Sequence, residues 1–367
     1  MKNILFSTTR QWNPGDEFIL MGCINILKNF YPEFNPIIYN RNPEVRQELQ
    51  YKNPFRKLLK FPFFKGSRII KENLFPFFRF GFWDNSFKDI TEGSFIDLAV
   101  FAGSPEWCTQ RCIQMYETIE KNNIPVIYLG IGSSFNYDLG KLPKIMIKIL
   151  KQAKFIAVRD SITLELLKDY NAKYIPCPAL LSAPKEREKQ VKTVKKIGLV
   201  YGTYEAVDMN NISKETYDYI IKLYNEFINK YEKDYDIEFV CHYIDELEHV
   251  KKDFPNIKIN YSYNSADYVD TFSKFDMVIA PRVHAIGMSA SLGIPGICIS
   301  HDTRGETCKG FKAELLKVGT SFEDFDKMFN SIVNNVEQKS IDLINHKHNV
   351  MNEYCEKLKA ILEVNNA

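Results

Sequence analysis

The sequence predicts an α/β protein of two domains, each with a parallel sheet covered by helices. Short apolar runs alternate with helix-length amphipathic stretches along the chain, and this alternation is typical of parallel sheets with helices on both faces. A length of 367 residues exceeds one ordinary core and suits two domains. A Pro-led charged run at 183–196 interrupts the alternation, as a linker does. We therefore predict domains at 1–185 and 197–335, a linker at 186–196 and a final segment at 336–367.

The first domain is predicted to hold six strands, which we place on its short apolar runs. These strands are Asn3–Phe6, Ile37–Tyr39, Leu98–Ala102, Val126–Leu129, Phe155–Val158 and Lys173–Ile175. Amphipathic stretches predict helices near 16–30, 106–122, 141–151 and 160–170. Four of the strands run into loops rich in Gly, Ser, Pro, Asn or Asp, and such loops carry the binding residues of open α/β sheets.

The second domain repeats the alternation after the linker. Its strands are predicted at Ile197–Tyr201, Glu238–His242, Lys258–Tyr261, Asp276–Ala280 and Gly296–Ser300. Its helices are predicted near 214–232, 265–274 and 284–292. A last helix near 338–364 has the length to pack back across the domain junction.

Composition and charge exclude several classes of protein. A formal net charge of +2 removes the electrostatic case for nucleic acid as a partner. The first residues lack the apolar core of a signal peptide, and charged residues interrupt every apolar stretch before it reaches the length of a membrane span. The eight cysteines include no Cys-x-x-Cys pair, which favours reduced thiols over a metal site. We therefore predict a cytoplasmic protein without a metal.

The most informative stretch of the second domain is residues 280–300. A strand ends at Pro281, exposes Arg282 and His284, and passes directly into a helix of small residues. Unpaired amides and the positive end of the helix dipole favour a phosphate or carboxylate at such a helix start. Arg282 would add a planar charged fork for the same anion, and His284 a titratable proton. The pattern predicts an anion site with an acid beside it, and its alternative is that both side chains are ordinary surface residues.

The same stretch resembles the signature of the polysaccharide pyruvyltransferase family, in which Arg-x-His precedes a small-residue helix and Gly-Ile-Pro. The start at Asn13-Pro-Gly-Asp-Glu17 is similar to the Asn-x-Gly-Asp start of that family. Further similar pieces follow in the same order, at 97–107, 129–133, 158–161 and 242–245. The resemblance is collinear over about 300 residues, and this order is what makes it specific.

The resemblance implies a GT-B-like fold of two Rossmann-type domains whose parallel sheets face a central cleft. It also implies transfer of pyruvate from phosphoenolpyruvate to a sugar as a ketal, with phosphoenolpyruvate as a co-substrate and no other cofactor. By the match to the family motif, His284 is the expected general acid, and Arg282 the clamp on the phosphate or carboxylate of the donor. The acceptor would be a sugar or a lipid-linked oligosaccharide.

Four more positions are carried over from the resemblance as donor-binding candidates. They are Arg159, Arg304, Lys309 and His242. For Arg159 the alternative is an ion pair with Asp160. For His242 the alternative is a local contact with Asp245.

The acceptor side has six candidates, most of them near the amino terminus. They are Asn13, Gly15, Asp16, Glu17, Glu106 and Trp107. Asp16 is also the candidate for deprotonating an acceptor hydroxyl, although acids at this position also stabilise a helix N-terminus. The Trp107 indole would stack on a sugar ring or, alternatively, belong to the core.

Two departures from the family pattern put the substrates in question. Where the family often has Tyr-Asp-x-Lys, this chain has His301-Asp-Thr-Arg304, and Arg does not reproduce the geometry of Lys. The triple-glycine stretch is here Ala102-Gly-Ser-Pro105. One alternative is therefore a GT-B glycosyltransferase with a nucleotide-sugar donor, whose ribose Glu306 would bind. The other alternative is a sugar-binding protein with a degenerate donor site.

Residues 51–83 break the α/β alternation and concentrate aromatic side chains. The segment holds eleven aromatic and eight basic residues against one acid, and its net charge of +7 leaves −5 for the rest of the chain. Such interleaving is typical of docking to an anionic membrane surface, which would make the protein peripheral on the inner membrane face. The alternative is an insertion folded on the first domain, while stacking of nucleobases is disfavoured by the near-neutral chain.

Overall fold

The computed structural model describes residues 1–10, 12–41, 93–133, 138–204 and 212–362. Within these ranges the chain forms two parallel sheets of six strands each, with helices packed against them. The predicted α/β class is thereby confirmed. The aromatic-basic segment at 51–83 lies outside the described residues.

The first sheet has the strand order β2-β1-β3-β4-β5-β6. In chain order the elements of this domain are β1 (Lys2–Thr8), α1 (Pro14–Leu27), β2 (Phe34–Asn40), β3 (Leu98–Ala102), α2 (Ile113–Asn122), β4 (Val126–Ile131), α3 (Lys144–Gln152), β5 (Phe155–Val158), α4 (Ser161–Leu166) and β6 (Lys173–Tyr174). From β1 the described strands extend to β2 on one side and to β3 on the other. The carboxyl ends of β1 and β3 therefore flank a topological switch point, where α/β sheets bind ligands.

The second sheet has the order β12-β11-β10-β7-β8-β9, which is the strand order of a Rossmann domain. Its elements are β7 (Lys196–Val200), α5 (Lys214–Tyr231), β8 (Asp236–Val240), α6 (Glu246–Asp253), β9 (Lys258–Asn260), α7 (Tyr268–Ser273), β10 (Met277–Ala280), α8 (Val283–Ser291), β11 (Gly296–Ser300), β12 (Glu314–Lys317) and α9 (Phe322–Asn334). Its switch point lies between β7 and β10, so the loop that carries Arg282 and His284 opens at that point.

Every predicted strand overlaps an observed one, but three elements were not predicted. They are α6, β12 and α9. In addition, the helix predicted over 106–122 begins only at Ile113, since Pro105–Cys108 and Gln110–Cys112 form separate 3₁₀ turns. Thr109 between them is extended, which interrupts the helical hydrogen bonding.

The two domains share one continuous core in addition to an outer core each. Ile4 and Phe6 of β1 face the shared core, together with Val278 and Ala280 of β10, whereas Leu5 faces the outer side of the first sheet. This alternation is the period of two that a strand imposes on its side chains. Because apolar side chains of both domains meet in one cluster, the junction resembles the interior of a single domain.

Backbone groups approach closely where α1 and α8 meet the 3₁₀ turn Pro178–Leu181. A Cβ atom on Gly22 would lie 1.8 Å from the Pro178 carbonyl oxygen, and one on Gly287 would lie 2.9 Å from the Ala179 Cβ. Only glycine fits where backbones pack this tightly. The two glycines thus set the spacing between the first helix and the helix that carries His284.

The last helix, α10 (Val336–Leu362), returns from the second domain to the first. The Tyr354 hydroxyl donates to the Pro176 carbonyl at 3.0 Å, and the Tyr31 hydroxyl donates to the Leu362 carbonyl at 3.3 Å. The buried residues of α10 include Leu343, Val350 and Leu358, which recur at the helical spacing of seven or eight residues. None of the helices that the structure describes combines the length and apolarity needed to cross a membrane.

A buried lysine of α10 ties the domain junction together. The Lys347 ammonium donates to the carbonyls of Ala183 and Ser291 at 2.8 and 2.7 Å, and forms an ion pair with Glu188 at 2.7 Å. Its side chain is 4% exposed. Lys347→Met leaves two buried carbonyls without this donor and Glu188 with only the His348 ring at 2.9 Å, so we expect the free energy of unfolding to fall by about 3–5 kcal/mol.

Urea denaturation measures this change. Lys357→Met on the exposed side of the same helix is the control, and should stay within about 0.5 kcal/mol of the parent protein. Equal stabilities of the two variants would contradict a role for Lys347 at the junction.

Candidate active site

The carboxyl ends of the two sheets meet at the domain junction, and three contacts cross between them. The Tyr243 hydroxyl, beyond β8, donates to Asn13 Oδ1 at the start of α1 at 3.1 Å. Arg159, directly after β5, places Nη1 3.2 Å from Nε2 of His284. A Cβ atom on Gly15 would lie 2.6 Å from Nδ1 of the same ring. His284 therefore lies between the N-terminus of α1 and Arg159 of the facing domain.

His284 is the second residue of α8, a helix whose buried residues include Ala285, Gly287 and Ser289. Burial lowers the pKa of this imidazole well below its ordinary value, and the nearby charges of Arg159 and Arg304 lower it further. The ring is therefore neutral in the ligand-free protein. Since a guanidinium can only donate, Nε2 accepts from Arg159 and the ring proton is on Nδ1.

Arg159 is a buried cation, 5% exposed. Its Nε has no hydrogen-bond partner among the residues that the structure describes. The expected alternative, an ion pair with Asp160, is not formed; Asp160 instead caps α4, with Oδ1 accepting from the Thr163 amide at 2.7 Å and from its hydroxyl at 2.6 Å. A buried positive charge that lacks a described carboxylate partner is costly, so this position favours an anion.

Arg282, the predicted clamp on the donor anion, already has a carboxylate partner in the structure. Its Nη2 donates to Glu246 Oε1 at 2.6 Å, and its Cζ lies 4.7 Å from the centre of the Tyr243 ring. Glu246 is fully buried, and its other oxygen accepts from the amides of His242 and Tyr243 at 2.8 and 3.2 Å. The carboxylate balances most of the charge that Arg282 was expected to offer to a donor.

His242 was predicted on the donor side, but the structure places it in an aromatic core. It is 2% exposed, and its ring lies edge-on to the rings of Phe18, Tyr268 and Phe272. Burial, with a further contribution from Arg282, lowers its pKa to about 3. His242 is therefore neutral and enclosed, which removes it from the donor-contacting residues.

Arg304 and Lys309 lie on the 3₁₀ stretch Thr303–Phe311 and pair with acids of the same segment. Arg304 Nε donates to Asp302 Oδ2 at 2.8 Å, and its side chain is 44% exposed. Lys309 pairs with Glu306 at 2.6 Å, and its side chain is 62% exposed. Arg304 is close enough to lower the pKa of His284, whereas Lys309 belongs to the surface.

On the acceptor side, Asn13 caps α1 by accepting from the Gly15 amide at 3.1 Å. The buried Asp16 accepts on Oδ2 from Arg41 at 2.9 Å and from the Thr9 hydroxyl at 3.2 Å. Burial raises the pKa of Asp16, and Arg41 opposes that rise.

The remaining predicted acceptor residues are Glu17, Glu106 and Trp107. Glu17 pairs with Arg10 at 3.0 Å, and Glu106 accepts from Arg41 Nε at 3.0 Å. Trp107 is 1% exposed, and its indole donates to the Gly132 carbonyl at 3.1 Å. The indole is thus part of the core, which agrees with the second of the two alternatives for Trp107 rather than with a role in stacking on a sugar.

Three residues of the site were missed by sequence reasoning: Arg41, Tyr243 and Glu246. Arg41 lies two residues after the predicted second strand and directly after the observed one, at the sheet edge where binding residues gather, and this position was a usable signal. Tyr243 directly follows His242 and Glu246 directly follows Asp245 in the sequence, but only α6 brings the glutamate to Arg282. Among the described residues, no three His, Cys, Asp or Glu side chains are grouped to hold a metal ion.

Three solved structures share the fold over nearly the whole chain. The S. aureus MnaA–UDP complex has a TM-score of 0.52 at 14% identity, covering 93% of this chain and 90% of its own. The UDP-GlcNAc 2-epimerase of Neisseria meningitidis has a TM-score of 0.51 at 13% identity, and the match covers 98% of this chain and 100% of the epimerase. Anabaena HepE in complex with UDP-glucose has a TM-score of 0.51 at 10% identity, and the match covers 99% of this chain and 100% of HepE. At these identities the likeness concerns the fold alone, and that fold is the two-domain GT-B class.

The family follows from a sequence comparison. A family model for polysaccharide pyruvyl transferases matches residues 13–303, a span that begins at the cap of α1 and includes Arg159, Arg282 and His284. This chain belongs to the polysaccharide pyruvyl transferase family. No curated protein matches it.

Proposed function

We propose that the protein transfers pyruvate from phosphoenolpyruvate to a sugar of a cell-surface polysaccharide precursor, forming a pyruvate ketal. The observation that carries the proposal is the contact between Arg159 and His284, a buried cation at 3.2 Å from a neutral imidazole across the domain junction. Arg159 forms no direct ion pair with a carboxylate among the described residues, and an anionic donor would supply that partner. The first amides of α8 add a second contact for phosphate or carboxylate.

Donor binding would also prepare His284 for acid catalysis. An anion that takes over the Arg159 guanidinium leaves Nε2 open, and its negative charge raises the pKa of the ring toward neutrality. The protonated imidazole then donates to the methylene carbon of phosphoenolpyruvate, and the adjacent carbon becomes electrophilic. Matching the pKa of the acid to the working pH is what makes such proton transfer efficient.

The acceptor sugar binds on the α1 side of the site in this mechanism. Asp16 accepts the proton of one acceptor hydroxyl as its oxygen bonds to the electrophilic carbon. Phosphate then leaves with its bridging oxygen, and a second hydroxyl of the same sugar bonds to the same carbon and closes the ketal ring as its proton passes to the departing phosphate. Asn13, Glu17 and Glu106 remain the other acceptor-contacting candidates, while Arg304 borders the donor side. We also propose that the acceptor is lipid-linked, a hypothesis that rests on the composition of 51–83.

Incubation with phosphoenolpyruvate and candidate sugars tests the proposal, with phosphate release and acid-labile pyruvate on the sugar as the two measurements. Both should appear together and in equal amounts. Two of the structural neighbours are complexes with UDP-GlcNAc and UDP-glucose, so the same incubation is made with UDP-sugars. Release of UDP without pyruvyl product would overturn the proposal in favour of a nucleotide-sugar glycosyltransferase.

Gly15 gives a prediction about the placement of His284. A Cβ atom there would lie 2.6 Å from Nδ1, so Gly15→Ala must shift the imidazole away from α1. We expect pyruvate transfer to fall by about 100-fold, because a displacement of about 1 Å has this effect on a positioned catalytic group. Steady-state kinetics measures the fall.

The matched control is Gly140→Ala, at an exposed turn whose nearest neighbour is the flexible Asp138 side chain. Its transfer rate should equal that of the parent protein. A Gly15→Ala protein with full activity would show that the ring does not need the space beside α1.

A further inference from the structure

Arg41 joins the two carboxylates of the acceptor side. Its Nη2 lies 2.9 Å from Asp16 Oδ2, and its Nε donates to Glu106 Oε2 at 3.0 Å. The side chain is fully buried. Its amide donates to the Thr8 carbonyl at 2.8 Å, which continues the pairing of β2 with β1 and holds the backbone in place.

The three charged groups come from three separate elements. Arg41 follows β2, Asp16 belongs to the first turn of α1, and Glu106 lies in the 3₁₀ turn after β3. These elements meet at the switch point of the first sheet. A planar guanidinium can bind two carboxylates at once through different N–H groups, which an ammonium cannot do with the same geometry.

We propose that Arg41 is a positioning residue of the acceptor side, which holds Asp16 in its ionised form and in one orientation beside Glu106. This inference rests on the proposed function, in which Asp16 accepts a proton from an acceptor hydroxyl. Only an ionised carboxylate can do so. Arg41 itself contacts neither the sugar nor the reacting atoms.

The direction in which the pKa of Asp16 changes when Arg41 is removed follows from the groups that face Asp16. Burial and Glu106 raise the pKa of Asp16, whereas Arg41, Arg159 and the Thr9 hydroxyl lower it. Among the opposing groups Arg41 has the largest effect. Without Arg41 the pKa of Asp16 rises further, and more of the protein holds a protonated Asp16 at a given pH.

The test is the pH profile of kcat/KM for the acceptor at saturating phosphoenolpyruvate. Activity of the parent protein falls at low pH as Asp16 is protonated. In Arg41→Gln this acid limb should move to higher pH by about 1–3 units, the size of a single arginine–carboxylate effect on a pKa. Glu106→Gln should move the limb in the opposite direction, because it removes a negative neighbour. Acid limbs unchanged in both variants would overturn the proposal.

Two further measurements separate this role from a merely structural one. Lys347→Met removes another buried cation and should lower stability without moving the acid limb. Affinity for phosphoenolpyruvate, from titration calorimetry, should stay within twofold in Arg41→Gln. If Arg41→Gln does not fold, Arg41→Lys replaces it, and kcat should fall by about tenfold since an ammonium does not fix two carboxylates in the planar geometry of a guanidinium; an unchanged kcat contradicts the inference.

Failure of the inference differs from failure of the proposed function. If the parent protein transfers pyruvate but the acid limbs stay in place, only the role of Arg41 is wrong. If the parent protein releases no phosphate from phosphoenolpyruvate with any sugar, the proposed function itself is wrong.

Discussion

His284→Gln is expected to lower the rate of pyruvate transfer by about 10²–10⁴-fold, the usual contribution of a positioned general acid. Glutamine can still accept a hydrogen bond from Arg159, so donor binding should survive, but it cannot donate a proton to carbon. Phosphate release in a single turnover, with phosphoenolpyruvate in excess, measures the chemical step. The affinity for phosphoenolpyruvate should change far less than the rate.

His346→Gln on α10 is the matched control for this variant. Burial lowers the pKa of His346 as it does for His284, and its Nε2 lies 2.9 Å from the Gly310 carbonyl oxygen. Its loss should leave the transfer rate within twofold. Full transfer activity of His284→Gln would instead show that His284 is not the general acid of the reaction.

Arg159→Gln is expected to weaken binding of phosphoenolpyruvate by about 10–150-fold, which corresponds to the loss of one charged hydrogen bond worth about 1.5–3 kcal/mol. Titration calorimetry measures the dissociation constant directly. Arg187→Gln, which removes an exposed arginine paired with Asp270, should leave the constant unchanged. Equal donor affinity in the Arg159 variant and the parent protein would contradict the placement of the anion beside Arg159.

The same variant should change the pH dependence in a defined direction. Arg159 is one of the charges that lower the pKa of His284, so its removal raises that pKa in the free protein. Because His284 must be protonated to act, kcat/KM for phosphoenolpyruvate falls as the pH rises through this pKa. The basic limb of the profile should therefore move to higher pH in Arg159→Gln, even though the overall rate is lower.

The strands were predictable where burial is complete on both faces. β3 (Leu98–Ala102) and β11 (Gly296–Ser300) were predicted with their exact bounds, since each is a short apolar run between polar loops. Helix α6 was missed because only Glu246 and Val250 of its eight residues are buried, which leaves no apolar stripe. Helix α9 has buried Phe325, Phe329 and Ile332 at helical spacing, a signal that the sequence does contain.

The site was predictable where a residue lies in a motif at a strand end. Arg159 and His284 were both predicted, although they are 125 positions apart, because Arg159 directly follows a buried strand and His284 lies in the Arg-x-His motif after another. The ion pair of Arg282 with Glu246 and that of Arg41 with Asp16 were not predicted. Their partners are brought together by helix packing, which the spacing of residues along the chain does not encode.

The sequence by itself determined the α/β class, the two sheets, the family and the position of the loop before α8 that carries Arg282 and His284. These features depend on local patterns, since strand periodicity, loop composition and motif order are all set by residues that are close together in the sequence. Only the tertiary structure decided which charges are balanced and which are not. Whether a side chain near a strand end is buried or exposed depends on the elements that pack there, and this is why His242 and Trp107 belong to the core. For the same reason Arg159, with no described carboxylate against it, became the cation beside His284.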